Sequence, residues 1–324
     1  MLRIPEKITS SGLIQTCRLI IDCDPGVDDA IALLLALASP TFELMAITTV
    51  AGNVPVETTY ANAHRICELA HRPDVPIYAG CPRPMVRSPI FAADVHGEDG
   101  LGGVVLPETQ MPLRTEHAVD ILIELCRTPQ QTPLTLAALG PLTNLAIALV
   151  KAPEIVWGIN QLVIMGGAIE GGNITPFAEF NCYADPHAAH VVFTSGIPIT
   201  LIPLDVTHQV IATPEWRSQL QSAQRPVSQA VAQMLSHYGT QEQCDRGWSG
   251  PPIHDPCVMG YLLAPELFST APAAVYVELS NQNTCGQTVI HWDSLEEARN
   301  TIQVAGSIHS EAFLQMLQRK LMEL

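Results

Sequence analysis

Short apolar runs of strand length alternate along this chain with segments of helical period. Arg18 to Cys23 (RLIIDC) predicts a buried strand, and Val27 to Leu37 the helix after it. Leu44 to Val50 predicts the next strand, and about Pro55 to Ala70 the next helix. Leu134 to Leu139 and Gln161 to Met165 are strand-like, on either side of a helix from Thr143 to Val150. Asp185-Pro186 opens a further helix, with Asp as N-cap and Pro in the first turn, and Gly196 closes it. Ile197 to Pro203 is the following strand, and Thr213-Pro214-Glu215 starts another helix by the same logic. Such alternation predicts βαβ units: an α/β fold with a mainly parallel sheet and flanking helices. Right-handed crossovers then place ligand-binding loops at the carboxyl ends of the strands. Gly80 to Pro107, Gly166 to Tyr183 and Tyr238 to Asp255 are too irregular for elements. They carry His, Glu, Asn and Asp among glycines, so function is the expected reason for their length.

The composition fits that picture. The 324 residues allow one large domain or two small ones, no linker divides them, and 47% are hydrophobic against 15% charged. Sixteen basic residues face 32 acidic ones, a net charge of −16, and Lys7, Lys151 and Lys320 are the only lysines. Such a surface repels phosphate backbones, so neither nucleic acid nor an anionic membrane is an expected partner. No run reaches the roughly 18 to 20 apolar residues that span a bilayer, and the first residues carry no sustained apolar stretch of the leader type. The nine cysteines are scattered without a CxxC pair, and read as buried thiols of a cytoplasmic protein.

The strongest chemical signal is Asp22-Cys23-Asp24-Pro25-Gly26-Val27-Asp28-Asp29, four carboxylates at the end of a buried strand. Asp22 and Asp24 share one face of that strand, and Asp28 and Asp29 fall in the first turn of a helix. A helix dipole favours a carboxylate there by only ~0.3 to 1 kcal/mol, too little to offset four packed like charges. Either some of them protonate or a cation sits among them. An all-oxygen set selects a hard cation, Ca²⁺ or Mg²⁺. Capping with a solvated turn is the structural alternative.

The run IIDCDPGVDDAIALLLAL resembles the signature of the inosine-uridine preferring nucleoside hydrolases. The resemblance continues in order: AGN at Ala51 to Asn53, DVHGEDGLGG at Asp94 to Gly103, LGPLTNLA at Leu139 to Ala146, VIMGGAIEGGNITPFAEFN at Val163 to Asn181, and IHDPC at Ile253 to Cys257. It covers about residues 18 to 320. It implies a Rossmann-like nucleoside hydrolase fold without a dinucleotide, a bound Ca²⁺, a small-molecule ribonucleoside substrate, and a homodimer or homotetramer. The activity implied is hydrolysis of the N-glycosidic bond to free base and ribose, by direct attack of a metal-bound water. The glycine-rich dinucleotide fingerprint is absent after the first strand, where DCDPGVDD would repel a pyrophosphate.

The resemblance also carries roles. Asp24, Asp29, the Leu139 carbonyl and Asp255 would hold Ca²⁺, with Asp24 also acting as general base on the attacking water. Asp22 would buttress the loop or help the metal shell from behind. Asp28, Asn53, Asn173, Glu179, Asn181 and Asp255 match sugar-binding positions, and Met165 a position packed beside the sugar. His254 matches the residue that protonates or orients the leaving base, and His96 is the second candidate on the base side. For each histidine a bracing role is the structural alternative. The other histidines, His208 among them, receive no role. The chain departs from the pattern in Tyr238 to Gly250, YGTQEQCDRGWSG. Pyrimidine-preferring members tend to carry Tyr and Gln, or a second Tyr, at positions aligned near Glu242 and Arg246. Tyr238 with Gln241 or Gln243 could substitute, and Asp94 stands where such members often show Asn. Base preference therefore stays open. Two rival functions are a haloacid-dehalogenase-like phosphatase, which needs a lysine that Lys151 alone could supply, and a catalytically silent calcium-dependent nucleoside or sugar binder.

Overall fold

A computed structural model describes residues 16–127, 134–293 and 301–324, with the backbone alone for 240–242. Lys7 and nearly all of the first residues weighed above lie outside that range. The strands are β1 (Cys17–Cys23), β2 (Phe42–Thr49), β3 (Ile77–Ala79), β4 (Leu134–Ala138), β5 (Ile159–Met165), β6 (Ile199–Ile202), β7 (Phe268–Val277), β8 (Thr288–His291) and β9 (Thr301–Ile308). They form one sheet in the order β3-β2-β1-β4-β5-β6-β9-β7-β8. Pairing is parallel from β3 through to β9, and antiparallel between β9 and β7 and between β7 and β8. The direction of strand order reverses between β1 and β4. In open α/β sheets that switch point, outside the carboxyl ends of the strands, is where ligands bind.

The helices are α1 (Val27–Leu37), α2 (Val56–Leu69), α3 (Ala93–His96), α4 (Ala118–Arg127), α5 (Thr143–Lys151), α6 (Phe180–Ala184), α7 (Pro186–Phe193), α8 (Leu204–Thr207), α9 (Pro214–Ser222), α10 (Pro226–Met234), α11 (Thr240–Arg246), α12 (Pro256–Leu263) and α13 (Ser310–Glu323). The parallel strands are apolar throughout because both their faces are covered. Leu19, Ile21, Cys23, Ala137 and Val163 point toward α1, α2, α9, α10, α12 and α13. Ile20, Leu136, Ala138, Leu162 and Ile164 point toward α4, α5 and α7. All eleven residues of α1 are buried. Removing a leucine such as Leu34 to Ala would cost ~2 to 5 kcal/mol.

The predicted strands and helices fall within a few residues of those observed, and the α1 bounds coincide. Asp185 caps α7 by accepting from the Ala188 N–H, and Thr213 caps α9 by accepting from the Trp216 N–H. Two features departed from the sequence pattern. The antiparallel edge was missed, because the first half of β7 is exposed and carries Pro272 within its run. None of the three stretches read as too irregular for elements is wholly so: α3 lies within Gly80 to Pro107, α6 begins within Gly166 to Tyr183, and α11 lies within Tyr238 to Asp255, where TQEQCDR offers no apolar stripe to signal a helix.

Candidate active site

Every motif noted in the sequence comes to the carboxyl end of the sheet. Asp24 follows β1, Asn53 follows β2, Leu139 follows β4 and Met165 ends β5. Asp28 and Asp29 open α1, His96 ends α3, and Asn181 lies in α6. Asp28, Asn53, His96, Leu139, Met165, Asn173, Glu179, Asn181, His254 and Asp255 line one cavity of about 410 Å³. Asp24 and Asp29 do not line it. They are buried behind it, in contact with Asn53.

Hydrogen bonds hold this acidic floor. Asp29 Oδ1 accepts from the Asp24 N–H at 3.1 Å, and Oδ2 accepts from the Gly26 N–H and Asn53 Nδ2 at 3.0 Å each. Asp24 Oδ2 accepts from the Asn53 N–H at 2.7 Å. The Asp24 carboxylate is wedged between two backbones: a Cβ on Gly52 would sit 2.0 Å from Oδ2, and one on Gly140 would sit 2.3 Å from Oδ1. Only glycine leaves room there, which explains the glycines of the AGN and LGP motifs. Asp22 lies one layer back. Its Oδ1 accepts from Thr48 Oγ1 at 2.6 Å and Asn144 Nδ2 at 2.8 Å.

The electrostatics are unfavourable without a cation. Burial, then the neighbouring carboxylates, push Asp24 and Asp255 well above the usual carboxylate range and Asp29 to about 6. Burial lifts Asp22 to about 7. Asp28, Asp29 and Asp255 each bring an oxygen within 4.8 Å of the others. Asp28 therefore belongs with the acidic cluster as well as the cavity wall, whereas the resemblance gave it the sugar alone. Of the described residues lining the cavity, only Arg246 carries a permanent positive charge, and it donates to the Gly172 carbonyl at 3.0 Å. The donors around the floor are all oxygen, a set that fits a hard divalent cation such as calcium. The Leu139 carbonyl faces this region and accepts from Asn181 Nδ2 at 2.7 Å, with a second lone pair to spare.

Polar groups on the opposite wall also brace their own loop. Glu179 caps α6, with Oε1 accepting from the Asn181 N–H at 2.8 Å and Oε2 from the N–H groups of Cys182 and Gly167 at 3.0 and 2.9 Å. Asn173 Oδ1 accepts from the Phe180 N–H at 3.0 Å, leaving its amide nitrogen for another partner. Asp205, in α8, accepts from the N–H groups of Ile169 and Glu170 and pins the start of this loop.

Two histidines line the same cavity beside the floor. The Val27 N–H donates to His96 Nδ1 at 3.1 Å. A backbone N–H can only donate, so the proton of this ring sits on Nε2. Burial holds His96 below the usual histidine range, and its Nδ1 is 4.0 Å from Asp28 Oδ1. His254 Nδ1 lies 2.7 Å from Thr207 Oγ1. The His208 ring meets His254 edge-on at 5.7 Å and Trp248 at 4.8 Å. Sequence reasoning missed Thr207 and His208. Their signal was position, since LDVTH directly follows a predicted strand at its carboxyl end. Tyr238 lines the cavity with its ring tilted against His96 at 5.2 Å, and Asp94 also lines it. The side chains of Gln241 and Glu242 lie outside the described residues. Lys151 is exposed and pairs with Asp120 at 2.5 Å, so it cannot serve a phosphate in this cavity.

Comparisons with known proteins agree with this geometry. A family profile described as inosine-uridine preferring nucleoside hydrolase matches residues 19–315. The pyrimidine-specific ribonucleoside hydrolase RihA of Photobacterium profundum is 42% identical over 304 residues, covering 94% of this chain and 98% of that protein. An uncharacterized protein of Schizosaccharomyces pombe is 42% identical over 305 residues, with coverages of 94% and 98%. Among solved structures, a purine-preferring ribonucleoside hydrolase from Gardnerella vaginalis superimposes with a TM-score of 0.88 at 33% identity, covering 94% of this chain and 98% of that one. The plant nucleoside hydrolase PpNRh1 superimposes with a TM-score of 0.87 at 31% identity, with coverages of 95% and 99%.

Proposed function

This chain belongs to the inosine-uridine preferring nucleoside hydrolase family, and from that premise we propose that it is a calcium-dependent ribonucleoside hydrolase acting first on pyrimidine ribonucleosides. Hydrolysis of nucleoside N-glycosidic bonds is the activity of the family. Relatives named pyrimidine-specific match this chain at 41–42% identity, above the 33% of the purine-preferring structure, which supports the narrower substrate. The observation that carries the reading is a buried all-oxygen floor and two histidines lining one cavity of nucleoside size.

Asp24, Asp29, Asp255 and the Leu139 carbonyl would hold the ion, with Asp28 alongside. Calcium bound there would supply a positive charge that grips ribose hydroxyls and makes a water easier to deprotonate. Asp28, Asn53, Asn173, Glu179 and Asn181 bind the sugar, and Met165 packs against it. Asp24 takes a proton from the attacking water, whose oxygen bonds to the anomeric carbon. The bond from that carbon to the base nitrogen breaks, and the nitrogen takes its electron pair and a proton from His254. The products are ribose and free base, by one inverting displacement without a covalent ester. His96, with its proton on Nε2, donates a hydrogen bond to the substrate and keeps that proton.

Nine unpaired cysteines, six of them buried, support a reducing, cytoplasmic setting for this chemistry. A homodimer or homotetramer is the expected assembly. The direct test is a panel of uridine, cytidine, inosine and adenosine with reducing-sugar detection, before and after exhaustive chelation. Full activity without metal would refute the calcium assignment. Faster turnover of inosine than of uridine would refute the pyrimidine assignment.

A further inference from the structure

Thr207 belongs to none of the sequence motifs, yet it is fully buried directly behind His254. It closes α8, the four-residue helix that follows β6. Its hydroxyl oxygen lies 2.7 Å from His254 Nδ1 and 3.3 Å from the Leu204 carbonyl. A threonine hydroxyl has one proton to give and lone pairs to accept another. Whichever way the shared proton lies, Nδ1 is spent on Thr207 and Nε2 is the nitrogen left for the cavity. His208, the next residue, closes the ring from one side, and Trp248 backs His208. Turning the ring over would give up this short hydrogen bond.

We propose that Thr207 is a positioning residue for the reaction, fixing the plane and the free nitrogen of His254 so that Nε2 faces the leaving base. This rests on the reading of His254 as the leaving-group acid. In the acid form both ring nitrogens carry protons. The Nδ1–H then donates to Thr207, whose own proton goes to the Leu204 carbonyl. When Nε2 gives its proton to the departing base nitrogen, the bond to Thr207 is unchanged, so the ring need not move during transfer.

The test compares Thr207→Val, Thr207→Ser and His254→Ala on two substrates: the better of uridine and inosine, and p-nitrophenyl riboside, whose nitrophenolate leaves without a proton. Thr207→Val keeps the shape and removes the hydroxyl. It should lose ~10- to 100-fold in kcat on the nucleoside, by analogy with the loss when the outer partner of a metal-bound histidine is removed. On p-nitrophenyl riboside it should stay close to the unmodified enzyme. Thr207→Ser restores the hydroxyl and should recover most of the nucleoside activity. In the His254→Ala background, Thr207→Val should add nothing further. Calcium content and thermal melting are measured for each variant, and Thr207→Ala replaces the valine variant if that does not fold. Equal loss on both substrates, or no loss on the nucleoside, overturns the role of Thr207 while leaving that of His254. Equal loss on both substrates in His254→Ala itself overturns the acid reading, and the Thr207 role with it.

Discussion

A methyl group at position 140 would press directly on Asp24. An ideal Cβ on Gly140 lies 2.3 Å from Asp24 Oδ1 and 2.8 Å from its carboxyl carbon, whereas ordinary contact begins at 3.4 Å. The carboxylate must therefore retreat by about 1 Å. Its other oxygen is held by the Asn53 N–H at 2.7 Å and packed on Gly52, so retreat breaks the position that general base action needs. Gly140 is not among the positive-φ residues, so alanine is acceptable to its backbone. Local overpacking should cost ~1 to 3 kcal/mol of stability. A misplacement of ~1 Å in a reacting group can cost ~10² in rate. We expect Gly140→Ala to fold, to melt a few degrees lower, and to lose ~10² in kcat on its nucleoside substrate. Steady-state kinetics, calcium content and a thermal melt measure the three quantities. Gly196→Ala is the control, because its Cβ meets nothing within 4 Å but its φ of +83° strains any other residue. It should cost ~1 to 2 kcal/mol of stability and leave activity intact. A folded Gly140→Ala enzyme with unchanged kcat would refute the placement of Asp24 as the base. A matching activity loss in Gly196→Ala would show that the assay reports stability.

Four further outcomes are expected. Chelation should lower the melting temperature and calcium should restore it, since an ion held only by the folded chain at 100 times its Kd adds ~2.7 kcal/mol. The chelated chain should lose stability as pH rises from 5 to 8, because burial lifts Asp22 to about 7 and Asp29 to about 6, so the folded state retains protons that the unfolded state has released; a calorimetric melt that rises with pH contradicts this. Rates on 2′-deoxyuridine should fall at least ~10³ below those on uridine, because a site built for a hydroxyl leaves its own groups unpaired without one, and comparable rates would remove Asp28 from the sugar contacts. Nitrogen-15 spectra should find His96 neutral with its proton on Nε2 near neutral pH, given the Val27 N–H on Nδ1, and an Nδ1–H signal would contradict the assigned hydrogen bond.

Local rules account for what was legible in the chain. The bounds of α1 follow from Pro25-Gly26 and an unbroken apolar run, because helix start and period depend on neighbours in sequence. Buried strands were visible as apolar runs bounded by turn residues, and the oxygen-only chemistry of the floor was visible in DCDPGVDD. The resemblance supplied the remaining roles in order along the chain. What the sequence could not decide was which groups meet. Asp28, Asp29 and Asp255 converge because β1 lies at the reversal of strand order and α12 packs on α1, and no local pattern encodes that meeting. No local pattern explains the glycines at 52 and 140, which leave room for the Asp24 carboxylate between them. Thr207 carries no motif, and only the packing puts its hydroxyl on His254. Periodicity reports which face of an element is buried, but only the packed sheet decides what lies against that face, because those contacts join segments far apart in the chain.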